Sequence, residues 1–320
     1  MSTKGGTHDP GLTALIPSHT IATFPTGTFL ENLAVRPNGT LLLSSMNTGE
    51  IFFLDPHHAS PQSTVLLLHS FNAASSQEPV STSESAYGNS YTAEALVEDP
   101  NTPDVFYTFS GIHTRPNTWS IFSLDLRNFS PSDPTRITVT KVAPVPTATW
   151  LNGGTMLPSG ILLIAESNQG QILSYNLNTR TLGVWLDHDL LGRVTGRPEW
   201  PGVNGLQYFR GSVFATVSDR AILVKMAVTP DGAYEEGSLE VVAEDITGDD
   251  LAFDERGNVY VATNPAQSVM KLSGIGGGKL GLRETVIGGE GVAETAGPTA
   301  VAFGRGVDAE SIYVTTTGGL

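Results

Sequence analysis

Leu30 to Ser45 reads LENLAVRPNGTLLLSS, and this segment sets the architecture of the chain. Two apolar strands are joined by Pro37-Asn38-Gly39, where Asn and Gly tolerate the positive φ of a tight hairpin. Five later segments repeat the same order, in which a short polar stretch is followed by an apolar strand, a turn and a second apolar strand. They are AEALVEDPNTPDVFYTF from Ala93, LNGGTMLPSGILLIAES from Leu151, VNGLQYFRGSVFATVSD from Val203, DDLAFDERGNVYVATN from Asp249 and PTAVAFGRGVDAESIYVTTT from Pro298. In the segment from Ala93, Asn-Thr-Pro stands where the others have Gly.

The repeat predicts an all-β, six-bladed β-propeller. The residues that open the inner strand of each repeat are Glu31, Glu94, Asn152, Asn204, Asp249 and Thr299, and they lie 45 to 63 residues apart. Such distances are typical of one four-stranded blade each. The last repeat ends near Leu320, so we expect an N-terminal strand around Thr20–Phe24 to close the ring. The prediction is one domain over residues 1–320, with 1–18 as a loose arm.

The composition of the chain limits the kinds of molecule that it is expected to bind. The 320 residues carry a net charge of −15, which argues against nucleic acid and anionic membranes, because both attract basic surfaces. Cysteine is absent, which excludes thiolate chemistry. No apolar run approaches the roughly 20 residues of a membrane helix. We expect a soluble protein, cytoplasmic as written, while Asn38-Gly39-Thr40 leaves a secreted form with a trimmed signal open. The sequence does not indicate an oligomeric state.

Stacked blades bring the six opening residues together at one mouth of the central channel. Carboxylates and side-chain amides supply oxygen ligands, which suit a hard cation such as Ca²⁺. The alternative is that Asn-Gly and Asp-Asp only form turns into the inner strands.

The same mouth predicts a substrate-binding rim. Its members are Phe29, Met46, Tyr91, Glu94, Trp119, Trp150, Trp200 and Asn264. Aromatic side chains there suit a small, flat, apolar or aromatic molecule. The alternative is that the tryptophans pack loops onto the blades, and Trp119 starts a third strand and belongs to the core.

Three longer loops adjoin this rim. His113 lies in a loop unlike its short counterparts, where it either donates a proton to a leaving hydroxyl or is an ordinary surface histidine. The insertion from Asn72 to Tyr91 is Ser-rich, and we expect either a mobile lid or disorder. Arg193 and Arg197, in the loop before Val203, are expected to be solvated.

The chain resembles the regucalcin/gluconolactonase superfamily of six-bladed propellers over nearly its whole length. The resemblance rests on Glu31 in LENLAV, Asn152 in NGGTMLPSG, Asn204 in NGL and Asp249 in DDLAFD. It implies that these four residues hold a divalent metal, Ca²⁺ or another cation. Two positions depart from the family pattern. Asp250 replaces the usual Gly, and Asn32-Leu33 replaces Gly-Pro after Glu31.

The phrases ENLAVRPNG and DDLAFD are similar to a fungal natural-product branch of these propellers, which includes hetero-Diels–Alderases. This resemblance implies a cyclase that joins a tropolone-derived o-quinone methide to a terpene alkene and needs no cofactor. A metal-dependent lactonase and a non-catalytic binding propeller are the alternatives. In either enzyme we expect His113, Asn204 and Asp249 to act in catalysis.

Overall fold

The repeated hairpins form in the structure, a computed structural model that describes residues 15–73, 88–197, 200–277, 280–289 and 292–318. Gly39, Gly160 and Gly257 occupy their turns with φ of +86°, +80° and +86°. Asp104 takes the corresponding left-handed conformation in the repeat that lacks Gly, with φ of +67°. A two-pronged ion pair holds it there, because Arg36 donates to both carboxylate oxygens of Asp104 at 2.7 and 2.8 Å.

The hairpins extend into antiparallel sheets. The described ranges contain five four-stranded sheets and one two-stranded sheet. The first sheet has β1 (Leu30–Val35), β2 (Leu41–Ser45), β3 (Glu50–Leu54) and β4 (Leu66–Ser70). The second has β5 (Val97–Glu98), β6 (Val105–Ser110), β7 (Ser120–Asp125) and β8 (Thr138–Pro144). The third has β9 (Leu151–Met156), β10 (Ile161–Glu166), β11 (Gln171–Asn176) and β12 (Thr181–Asp187).

The remaining sheets follow in chain order. The fourth has β13 (Val203–Phe209), β14 (Ser212–Val217), β15 (Ile222–Ala227) and β16 (Glu240–Glu244). The fifth has β17 (Leu251–Phe253), β18 (Val259–Thr263), β19 (Ser268–Leu272) and β20 (Arg283–Gly288). The sixth has β21 (Pro298–Phe303) and β22 (Ile312–Thr316).

The helices of the described ranges are short 3₁₀ turns. They cover Pro61–Thr64, Pro134–Arg136, Asp189–Leu191, Ser218–Arg220, Ile275–Gly277, Ala293–Thr295 and Gly306–Asp308. Within those ranges, none has the length and apolar character that crossing a membrane requires.

Apolar clusters join each sheet to the next around a central axis. Phe109 of the second sheet and Ile164 of the third belong to one cluster, and Leu163 and Val213 join the third sheet to the fourth. The ring closes where Ala300 of the sixth sheet packs with Leu33 and Leu41 of the first. Each sheet is thus buried on both faces, as a propeller requires. The all-β propeller predicted from the repeat is confirmed.

The sixth sheet has two strands in the described residues, whereas each of the other five has four, so the predicted six complete blades are not confirmed. Thr20–Phe24 forms no strand, so the predicted N-terminal closure is not confirmed. This segment instead packs Ile21, Ala22 and Phe24 against the cluster between the first and sixth sheets. Upstream, the backbone N–H of Ile16 donates to the carbonyl of Val286 at 2.7 Å. The predicted arm over residues 1–18 lies outside the described residues as far as position 14.

Hydrogen bonds between inner strands reinforce the ring near its axis. Asn32 Nδ2 donates to Asp250 Oδ2 at 2.7 Å across the channel, and Asn32 Oδ1 accepts from the Leu96 N–H at 3.3 Å. The two departures from the family pattern, Asn32 and Asp250, are therefore partners. One side chain links the fifth, first and second sheets.

Replacing Asn32 by Ala should lower the free energy of unfolding by about 1–3 kcal/mol, since it leaves Asp250 and the Leu96 N–H without this partner. Urea denaturation measures the change. Asn128→Ala, in an exposed turn, is the matched control and should change stability by less than about 0.5 kcal/mol. Equal stability of the two variants would contradict the bridging role.

Candidate functional site

Irregular strand pairing occurs at four of the six opening residues, Glu31, Asn152, Asn204 and Thr299. The register between β1 and β2 shifts between Leu30 and Asn32, which leaves Glu31 as an extra residue. Similar shifts in the third, fourth and sixth sheets fall at Asn152-Gly153, Asn204-Gly205 and Thr299. A β-bulge re-aims a side chain without ending the strand. The shared repeat position therefore becomes a shared direction in space.

A cavity of about 530 Å³ lies at this mouth of the channel. Its floor includes all four predicted metal ligands, Glu31, Asn152, Asn204 and Asp249. Five predicted rim residues are also on its wall, namely Phe29, Met46, Trp150, Trp200 and Asn264. Nine of the predicted site residues therefore lie in one cavity, although they come from four different sheets and the loops beside them.

Four other predicted site residues, Trp119, Tyr91, Glu94 and His113, do not line this cavity. Trp119 is 1% exposed and belongs to the core between the second and third sheets, so the packing alternative holds for it. Tyr91 pairs with Ile112 in an isolated β-bridge. Glu94 is completely buried close to the floor. Most of the predicted lid lies outside the described residues, which end at 73 and resume at 88.

His113 is buried beside the cavity wall. Its ring meets that of Trp150 edge to face, with centroids 4.5 Å apart. Burial, together with the positive charge of Arg193, lowers the pKa of His113 to about 4. His113 is therefore neutral near pH 7, which argues against its predicted role as a proton donor.

Amides orient the carboxylate of Asp249. Asn204 Nδ2 donates to Asp249 Oδ1 at 2.8 Å and to Ser218 Oγ at 3.0 Å. Asn264 Nδ2 approaches Asp249 Oδ2 at 3.5 Å. Because the Asn204 nitrogen is engaged in this way, its amide orientation is fixed relative to the acid.

Four carboxyls crowd the channel. Asp249 and Asp250 keep some accessible surface but lie deep in the protein, and Glu31 and Glu94 are buried. Burial, with repulsion from Asp249, Glu94 and Asp250, raises the pKa of Glu31 well above its ordinary value. Burial also raises the pKa of Glu94 to about 8, of Asp249 to about 7 and of Asp250 to about 6.

Hydrogen bonds from neutral side chains offset part of these pKa shifts. Asn204 and Asn264 lower the pKa of Asp249, and Asn32 lowers the pKa of Asp250. Within the described part of the chain, no Arg, Lys or His contributes to the four shifts. The floor is an acidic cluster to which the described residues supply no counter-charge.

The donor set of the floor fits a hard divalent cation. Glu31 and Asp249 offer carboxylate oxygens, and Asn152 and Asn204 offer amide oxygens. No three His, Cys, Asp or Glu side chains come together as a metal-binding group in the ranges described. A cation there would have two carboxylates and two amides as ligands, and it would neutralise the buried charge.

Sequence reasoning missed Ser218, which lines the cavity. The next residue, Asp219, instead accepts hydrogen bonds from the N–H groups of Val194 and Thr195. The residue that follows the second strand of a sheet also lines the cavity at Met46, Asn264 and Thr317. That shared position was the signal that identifies Ser218.

A second cleft, of about 260 Å³, lies next along the channel and includes Asn32, Asp250 and Arg305. The residues that precede Asn32 and Asp250 are on the floor of the main cavity. The Asn32–Asp250 hydrogen bond therefore lies between the two spaces.

No family model matches the chain, and no curated protein matches its sequence. Solved structures do match its fold. A luciferin-regenerating enzyme superimposes with a TM-score of 0.61 at 13% identity, over 92% of this chain and 86% of that one. A calcium-binding protein, regucalcin from Agrobacterium tumefaciens, gives 0.58 at 16% identity, over 92% and 84%. A gluconolactonase from Xanthomonas campestris gives 0.58 at 11%, over 92% and 84%. These neighbours are regucalcin/gluconolactonase-like propellers, and the likeness supports the fold.

The buried acids predict that stability falls as pH rises. The carboxyl of Asp249 ionises near pH 3.8 when unfolded but near 7 when folded, so folding retains a proton between these values. Its stabilising contribution is present below about pH 4 and lost by about pH 7, at up to about 1.4 kcal/mol per pH unit. Asp249→Asn should reduce this slope in chelator-treated protein, as measured by urea denaturation from pH 4.5 to 7.5. An unchanged slope would contradict the raised pKa of Asp249.

Proposed function

We propose that the protein is an enzyme that hydrolyses a lactone of a small, largely apolar molecule, with a divalent cation at the channel mouth. The observation that carries the proposal is the convergence of Glu31, Asn152, Asn204 and Asp249 on one cavity floor, where no described residue supplies a counter-charge. The regucalcin- and gluconolactonase-like fold of the neighbours supports it.

A bound divalent cation supplies a Lewis acid that polarises a carbonyl group. Glu31, Asn152, Asn204 and Asp249 would hold it, as the resemblance implies. Asn204 holds the Asp249 carboxylate by a hydrogen bond of 2.8 Å, and a carboxylate positioned in this way is the candidate general base.

In this proposal Asp249 accepts a proton from water as the water oxygen attacks the lactone carbonyl carbon. The ring C–O bond then breaks, and the alkoxide that leaves takes up the proton, so that a hydroxy acid is released. Asn204 keeps Asp249 in position through the 2.8 Å hydrogen bond.

The cavity wall supports an apolar substrate. Phe29, Met46, Trp150, Trp200 and Pro201 face the same space as the acids. Aromatic walls give contact area and stacking and favour flat rings over fully hydroxylated sugars. We therefore propose aromatic or terpenoid lactones as substrates.

Asp249→Asn should reduce lactone hydrolysis at least 100-fold, because the variant keeps the shape of the side chain but loses the base and one anionic ligand. The measurement is hydrolysis of a panel of aromatic and aliphatic lactones in Ca²⁺, Mn²⁺ or Zn²⁺. Asp245→Asn, four residues away and exposed, is the matched control and should keep full activity. If Asp249→Asn hydrolyses lactones as fast as the parent protein, the proposal fails.

Ring closure is the second candidate, and the apolar half of the wall favours it. Holding two partners in reacting geometry can lower a cycloaddition barrier by roughly 7–11 kcal/mol without a cofactor. An apolar cavity also shields an o-quinone methide from water. This reaction is the one implied by the fungal branch of hetero-Diels–Alderases.

Incubation of the protein with a hydroxymethyl tropolone and humulene tests ring closure. We expect an enantioenriched adduct, detected by chiral chromatography, and Trp200→Ala should lower its yield by removing part of the apolar wall. A racemic adduct formed at the uncatalysed rate would exclude this candidate for that pair.

A further inference from the structure

Glu94 is a buried acid that the four-ligand set does not use. It opens the inner strand of the second sheet, where its backbone N–H donates to the Phe109 carbonyl at 3.0 Å. Its side chain is completely buried, and neither carboxylate oxygen has a hydrogen-bond partner among the described residues. The Thr92 hydroxyl is close enough to lower the pKa of Glu94 against the larger effect of burial, but it donates to the Gly111 carbonyl at 3.3 Å and not to Glu94.

Glu166 shows how this fold treats a buried glutamate that has a structural role. It is as fully buried as Glu94, but its Oε1 accepts from the N–H groups of Thr149 and Trp150 at 2.7 and 3.0 Å. Asp250 likewise has Asn32 and the Leu251 N–H as donors. A buried polar group is normally paired, so the two unpaired oxygens of Glu94 require another source of compensation.

The surroundings of Glu94 point to a cation as that source. The carboxyls of Glu31 and Asp249 lie near enough to repel it, so the protein adds negative charge at the place where positive charge is needed. A cation between Glu31 and Asp249 would replace this repulsion of the Glu94 carboxylate by attraction.

We propose that Glu94 is a third acidic member of the cation site, and that its carboxylate, ionised once a cation is bound, makes the site favour ions of higher charge. The inference rests on the cation site of the proposed function but not on hydrolysis. Three carboxylates do not meet as direct ligands in this structure, so Glu94 acts on the ion through its field or through an intervening water. The number of acidic groups is what tunes the affinity of oxygen-ligand sites.

Binding of Ca²⁺ and Tb³⁺ tests this role. Trp150 lines the cavity and can sensitise Tb³⁺ luminescence, while calorimetry gives the Ca²⁺ affinity. Glu94→Gln should weaken Tb³⁺ binding at least tenfold and Ca²⁺ binding less. Glu94→Asp keeps the charge and should stay within about threefold of the parent protein. Glu244→Gln, on an exposed outer strand, is the matched control and should bind as the parent does.

Thermal unfolding distinguishes an effect of the Glu94 charge on cation binding from an effect of the Glu94 side chain on packing. The rise in Tm that saturating Ca²⁺ gives over EDTA should be smaller in Glu94→Gln than in Glu94→Asp, and a structural role alone would not order the two variants in this way. Unchanged Tb³⁺ and Ca²⁺ affinities in Glu94→Gln, equal losses in both variants, or no binding by the parent protein would overturn the inference. A parent protein that binds cations but hydrolyses no lactone would overturn the proposed function and leave the role of Glu94 standing.

Discussion

Hydrogen bonds between neighbouring inner strands are the constraint on which the rest of this structure depends. Thr299 Oγ1 donates to the Leu30 carbonyl at 2.7 Å, and the Asp250 N–H donates to the Thr299 carbonyl at 2.9 Å. Ser167 and Ser218 make equivalent bonds to Val203 and Gly248. The sixth sheet has two strands, so closure of the ring depends on such bonds near the axis and on side-chain packing farther out.

Close approach of the inner strands also builds the functional site. A Cβ on Gly153 would come within 2.3 Å of the Asn204 carbonyl oxygen, and one on Gly205 within 2.5 Å of Asp250 Oδ1. Both glycines follow directly after an asparagine of the cavity floor. Only a residue without a side chain lets adjacent sheets approach so closely, and this approach puts Asn204 within reach of Asp249. The close approach of the inner strands therefore both closes the ring and positions the residues of the site.

The sequence could predict the features that follow from the repeat. A hairpin of fixed length returns to the same place in every blade, so Glu31, Asn204 and Asp249 could be placed together from spacing alone. Features set by individual contacts could not be predicted in this way. Thr20–Phe24 has the apolar residues of a strand, yet its packing on the first and sixth sheets needs no strand pairing. The sequence around Trp119 is compatible with a place on the rim or in the core, and only its packing neighbours show that it belongs to the core.

The Asn32–Asp250 hydrogen bond joins two residues of the second cleft, and each follows directly after an acid on the floor of the main cavity. If this bond closes the passage between the two spaces, a bound molecule enters and leaves the main cavity only at its rim. In the ring closure proposed as the second candidate, the reactant nearer the acids would then have to enter before the other. The order of substrate addition would in that case depend on one amide and one carboxyl near the channel axis.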